Sequence, residues 1–545
     1  MKLLKVCTVT LFATCLATGC KFGSKTTADH EMALSKNQEV HLCLTDKTNS
    51  FDPRLTRGMP SGNIVRLLFT GLTYVDENGK VFPGIAQNIH ISPDMKTYTF
   101  TLRECTWSNG DQVKAQDFEY AWKTSLNPEM KSPMAYMLFA IKGAKGLFEG
   151  SVMQDEMGCK ATDDKTLVVT LENPTPYFLQ LTATPAYFPV NKAWVQANPD
   201  FKEGDTETCV SNGPFKIAKF TPANSLELVK NELYWGKEMV KLNKVTFSLL
   251  DDHQALASFQ KGELDWVGAP LSILGPEGIN TLKQSGQFRS NPAAGTQFMR
   301  VNVDKAPLNS LKFRKALLLA IDSQAIVTTI MQGGQSPAIG FVPPVLGVQQ
   351  KSYFIPHDVE GARRTLEEAL IEMAMSRNDP PTITLSYISS ERAQKIAETL
   401  QQNWKDAFNL QVNLEGSVAT SFYDKIFSKD YDLAMGSWFA DFFDPMSFLS
   451  VFQYKENGTN NTGWENPDYT RLLEQSNLEV DTQKRLAFLQ QAEEILMTDL
   501  PLLPIFHFSF THGKNDLLQD YKLSPMGYID LEDAYIMETP QKEEA

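Results

Sequence analysis

Residues 432–449 read Asp-Leu-Ala-Met-Gly-Ser-Trp-Phe-Ala-Asp-Phe-Phe-Asp-Pro-Met-Ser-Phe-Leu. In the middle of this run Asp441 sits among Trp438, Phe439, Phe442 and Phe443. Aromatic neighbours lower the local dielectric, so a charge pair made by Asp441 would be stronger there than in water. The alternative is that Asp441 caps a helix starting at Pro445 or belongs to a surface loop. What surrounds the run decides between these readings.

Around this run, the chain mixes strands and helices. Val40–Leu44 reads as a first strand, and a helix is expected through Ile64–Phe69 with Gly71 as its C-cap. Asn78-Gly79 between Val75 and Val81 marks a hairpin. Tyr98–Leu102, Thr166–Leu171, Leu226–Lys230 and Lys244–Leu249 read as strands. Helices are expected over Ala115–Trp122, Asp251–Gln260, Phe313–Ile321, Val359–Met375, Glu391–Ala407 and Thr482–Met497. Such a mixture, with no internal repeat, argues for an α/β or α+β architecture.

The chain has 545 residues, 42% hydrophobic and 21% charged, so several domains or one large composite one are expected. Its net charge of −14 disfavours nucleic acid and anionic membrane surfaces as partners. The first residues are a leader: Lys2 and Lys5 precede a short apolar run, Val6–Leu16, which is too short to span a bilayer. Ala17-Thr18-Gly19-Cys20 follows and resembles a bacterial lipobox, which implies cleavage before Cys20 and lipidation of its thiol. Cys43, Cys105, Cys159 and Cys209 then remain in an exported, oxidising setting. Four cysteines permit three pairings, among which the sequence does not choose.

Three blocks carry a family resemblance. Trp107-Ser108-Asn109-Gly110-Asp111-Gln112-Val113-Lys114-Ala115-Gln116-Asp117-Phe118 resembles the W-S-D-G-x-x-V-T-A-x-D-F block of the oligopeptide- and dipeptide-binding proteins of ABC importers, and Ser132–Tyr136 is similar to their S-P-Y-A. Phe313-Arg314-Lys315-Ala316-Leu317 with Ala320-Ile321-Asp322 resembles V-R-x-A-L…A-I-D. Residues 432–449 resemble the ligand-binding block, G-W-x-A-D before D/E-P-x-S-F-L, and Asn460–Trp464 also matches.

The resemblance implies a mixed α/β, two-lobed periplasmic-binding-protein fold with a hinge, in its large peptide-binding subclass with an extra domain. The implied division is leader 1–19, tether 20–38, lobe 1 base in three parts (39–70, 190–295, 520–545 with the tail), extra domain 71–189, and lobe 2 at 296–519. It implies a monomer that takes short peptides to an ABC permease complex, held to the membrane by its lipid. No cofactor, metal or catalytic residue is expected. Asp441 is placed as the carboxylate for a ligand ammonium. Ser437 and Phe439 correspond to positions that offer main-chain groups to the ligand, and Met59 to another on the opposite lobe. Trp438 and Trp404 are candidates for side-chain pockets or for plain core.

Two departures stand out. Arg57 replaces an acid and is either solvated or paired across the lobes. The basic residues that the family places near the ligand's far end are missing: Met435, Ala393 and Thr328-Thr329 stand there, with Arg392 one step off. A loosely held ligand carboxylate is therefore expected, with Arg57 and Arg300 as the remaining candidate cations. Enzyme readings find no H-E-x-x-H, G-x-S-x-G or Walker A motif, and His507 and His512 lie in a strand-like apolar run. A non-peptide cargo (haem, a metal chelate or an oligosaccharide) and an adhesin-like surface role are the alternatives.

Overall fold

The computed structural model describes residues 33–45, 50–199, 209–348, 351–376, 380–456 and 458–539. The leader and Cys20 lie outside the described residues, as does most of the tether. Most expected elements form within a few residues of their sequence-derived bounds. The Asn78-Gly79 hairpin joins strands Thr73–Val75 and Val81–Pro83, with Gly79 at φ 81°. Asp251 caps the helix Asp252–Gln260 by accepting from the Gln254 N–H at 2.9 Å.

Gly71 is a correction. The helix Met59–Leu68 ends on Phe69 in extended conformation (φ −130°), and Gly71 is not in the left-handed region. What holds a glycine there is packing, since a Cβ would stand 2.7 Å from the Thr182 carbonyl and 2.8 Å from the Phe188 ring.

Three main sheets organise the chain. One orders Glu39–Leu44, Lys244–Leu249, Ser225–Lys230 and Phe215–Thr221, the first pair parallel and the others antiparallel. A second, wholly antiparallel, orders Ala86–Ile91, Thr97–Leu102, Thr166–Thr170 and Cys159–Ala161. The third is mixed and seven-stranded. It runs Trp266–Gly268, Leu502–Lys514, Phe288–Val301, Leu433–Phe439, Ile383–Ile388, Val412–Ser417, with Ser336–Pro337 added on Leu502–Lys514.

The buried apolar residues form two large cores. The first gathers Trp107, Phe118, Trp122, Leu228 and Phe247; the second gathers Phe313, Leu317, Leu400, Trp404 and Phe448. Two long strands, Phe288–Val301 and Leu502–Lys514, serve both. Ala293 and Phe510 pack in the first core, and Ala294, Phe298, Leu502 and Phe506 in the second. Their mutual register shifts between Pro292 and Thr296, at the crossing point. Two lobes are thus joined by a pair of strands with an irregular joint.

The four cysteines among the described residues are free, buried thiols, so none of the three pairings is made. No helix among the described residues is long and apolar enough to cross a membrane.

Candidate functional site

The alternating run Leu433–Phe439 forms a strand covered unequally on its two sides. On one side it pairs antiparallel with Phe288–Val301 along its whole length, from Leu433 opposite Val301 to Phe439 opposite Gly295. On the other, only Leu433 and Ala434 pair, in parallel, with Leu385 and Ser386. Beyond Ala434 that edge carries no strand among the described residues. Ala440 N–H donates to Ala294 O (2.8 Å) and Asn302 N–H to Asp432 O (3.0 Å), which fixes the alternation. Even-numbered residues turn their main-chain groups inward. Met435, Ser437 and Phe439 turn theirs to the open edge.

At the end of this edge lies Asp441. Its N–H donates to Ser447 Oγ at 2.7 Å, and its carboxylate accepts from the Tyr136 phenol. Tyr136 reaches it from the short helical turn Ala135–Ala140, which packs against the first core. Both border a cavity of about 350 Å³ whose lining holds two carboxylates, Asp441 and Glu172, and no basic residue. Burial lifts the Asp441 carboxyl to about 6, and the Tyr136 hydrogen bond only partly offsets this. Arg66 borders a smaller pocket behind Asp441. Its guanidinium lies 4.3 Å from the Tyr528 ring and donates to Ala183 O (2.7 Å), and it forms no ion pair with Asp441. Asp441 is therefore neither a helix cap nor part of a solvated loop. It is a desolvated carboxylate without a cation.

Trp438 separates this cavity from a second one of about 440 Å³, and its ring lines both. Its indole N–H donates to Ser447 O (2.7 Å), which holds the ring in place. Ser437 is exposed and borders the second cavity. The Phe439 ring turns away, to Phe508 (4.7 Å) and Phe510, and covers Gly295 at the lobe crossing. Met59 opens the helix Met59–Leu68, where first-turn amides lack intrahelical acceptors. Its carbonyl accepts from Asn63 Nδ2 at 3.0 Å, and it borders neither cavity.

Trp404 takes the core alternative and borders neither of these two cavities. It is 0% exposed in the second core, with its indole N–H on Leu317 O at 2.9 Å. The helix Glu391–Phe408 buries Ile396, Ala397, Leu400, Trp404 and Ala407, an inward stripe at helical spacing. Arg57 is exposed. His507 and His512 are buried; burial pushes both rings down to about 4. His507 Nδ1 lies 2.9 Å from Thr296 Oγ1, and His512 stacks on Trp266 at 3.9 Å. Sequence reasoning gave Tyr136 no role, although the Ser132–Tyr136 block pointed to it.

The model of "Bacterial extracellular solute-binding proteins, family 5 Middle" matches residues 80–460. The oligopeptide-binding protein OppA of Bacillus subtilis (strain 168) is 39% identical, over 97% of this chain and 98% of that protein. The dipeptide-binding protein DppE of the same organism is 34% identical, over 92% and 93%. The crystal structure of Haemophilus influenzae OppA in complex with RPPGFSPFR superposes with a TM-score of 0.77 at 29% identity, covering 93% of this chain and all of that one. With an open strand edge between two lobes and most of its length matched, the chain belongs to family 5 of the bacterial extracellular solute-binding proteins.

Proposed function

We propose that the protein captures short peptides in extended form between its lobes and hands them to an ABC importer. The carrying observation is Asp441, a carboxylate desolvated enough to titrate near 6 and left without a cation at the end of an open strand edge. A peptide ammonium supplies the missing charge, with Tyr136 as the second partner of the carboxylate. The main-chain groups of Ser437 and Phe439 pair with the ligand backbone. Such pairing gives affinity without reading side chains. Trp438 separates two chambers for side chains, and Met59 offers its amide from the opposite lobe. The relatives named for oligopeptides and dipeptides, and the peptide held by the Haemophilus influenzae protein, support this reading.

The assembly follows from the same reading. Lobe 1 comprises residues 39–70, 190–295 and 520–545 with the extra domain 71–189, and lobe 2 comprises 296–519. The mature chain begins at Cys20 and is held to the membrane by lipid on that residue. It acts as a monomer and needs no cofactor. Native mass spectrometry of gently purified protein tests the cargo. Co-purifying peptides support the reading, and a single non-peptide mass rejects it.

A further inference from the structure

The second cavity differs in charge from the first. Its floor is the open edge at Met435, Gly436 and Ser437, and aromatic residues of the helix Ala419–Ser428 wall it. Among its lining residues Arg300 alone carries a charge. Arg300 enters from the neighbouring strand, opposite Ala434. Its Nη2 makes one long bond, 3.3 Å, to Thr459 O, while its Nε is buried without a partner. Its guanidinium lies 5.6 Å from the Phe298 ring, and no described carboxylate pairs with it. Burial pulls its pKa down, yet a guanidinium does not give up its proton in a protein. The charge therefore stays, desolvated, beside an open chamber.

The rest of the chamber suits an anion. Ser390 and Ala393 on its wall belong to the amino end of the helix Glu391–Phe408, where the helix dipole is positive. A guanidinium with free donors matches a planar carboxylate better than any neutral group. Met435 and Ala393, two of the positions where the sequence lacks a cation, both line this chamber. Arg300 supplies a cation there from the adjacent strand.

From these observations we infer that the Arg300 chamber binds a carboxylate of the ligand, either its C-terminus or an acidic side chain, and that Arg300 sets specificity for it. The inference rests on the peptide reading above. The chamber floor, Met435–Ser437, lies four to six residues back along the chain from Asp441. The strand runs to Phe439, so at about 3.3 Å per residue the chamber floor lies about 7–13 Å back from the end of the open edge, beyond which Asp441 follows.

Calorimetry on the mature protein at neutral pH tests this with two ligand series. One compares free-acid and C-terminally amidated alanine peptides of three to seven residues. The other moves a single Glu or Gln through amidated peptides of the same lengths. A preference of about tenfold or more for the carboxylate at one length or position is expected, and its disappearance in Arg300→Gln. The first series identifies a C-terminal carboxylate, and the second a side chain. Carboxylate and neutral ligands within about threefold of each other throughout would overturn the inference, as would a preference that survives Arg300→Gln. If that variant does not fold, the wild-type comparison decides alone, because no other lining residue is charged. Failure of every peptide, neutral ones included, would instead overturn the peptide reading itself.

Discussion

Asp444 receives both Arg485 Nη atoms at 2.8 Å, while Asp441, three residues earlier, meets no cation. Two carboxylates of one loop thus have opposite roles. The first anchors the loop to the helix Thr482–Asp499; the second is the carboxylate proposed to take a ligand ammonium.

The Asp444–Arg485 pair is buried on both sides, so removing one partner strands the other charge. Arg485→Met is expected to lower unfolding stability by about 3–5 kcal/mol, measured by denaturant titration. A loss under about 1 kcal/mol would mean that water reaches the pair.

Asp441→Asn should leave the fold intact and weaken peptide binding by about 2–5 kcal/mol, because a desolvated charge pair is lost. Calorimetry with a tri- to pentapeptide reads this directly. N-terminally acetylated peptides should show a similar loss on the unaltered protein and little further loss on the variant.

Peptide affinity should also follow the Asp441 proton. Burial raises its carboxyl to about 6, so the empty site is neutral below that pH and charged above it. The ammonium needs the charged form. Affinity should be level above about pH 7 and fall below pH 6, approaching about tenfold per unit. Asp441→Asn should flatten the profile. His507 and His512, held at about 4, stay neutral throughout this window.

Closure should accompany binding. Tyr177, partly buried and packed against both cores, stacks on Phe442 at 4.6 Å, and the joint between the lobes is the irregular pairing near Pro292–Thr296. Small-angle scattering is expected to give a smaller radius of gyration with a saturating peptide. Superimposable curves would count against hinge motion.

Replacing Cys20 by Ser should move the protein from the membrane to the soluble fraction after cell fractionation. On the proposed reading the leader is cleaved before Cys20, and two acyl chains on that residue anchor the chain stably. Membrane retention by the variant would reject the lipid anchor.

The sequence revealed what depends on local periodicity. Thr97–Leu102 alternates, and Glu391–Phe408 repeats every three to four residues, so both elements are readable without a fold. The same stripe assigns Trp404 to the core, had Ile396 and Leu400 been weighed with it. The Trp107–Phe118 block proves architectural. Asp117 gathers the Trp107 indole N–H and the Lys114 and Lys192 amides, each at 3.0 Å. Lys192 lies far along the chain, so no local pattern announces that contact. Gly71 was misread for the same reason, because the Thr182 and Phe188 atoms that exclude a side chain come from a distant segment. Arg300 stood among the candidate cations of the sequence, but the chamber it borders emerges only once Thr459, Phe298 and the aromatic helix are placed around it.

The free thiols have a practical consequence. Cys43, Cys105, Cys159 and Cys209 all precede the strand that leads into lobe 2, and no cysteine follows Cys209. Cys105, Cys159 and Cys209 belong to the first core, and Cys43 to a small cluster beside it. Burial raises all four pKa values, so few thiolates form and reagents reach them only when the surrounding structure opens. Alkylation kinetics would therefore report excursions of one lobe while its partner stays silent, an internal clock for asymmetric unfolding that requires no engineered label.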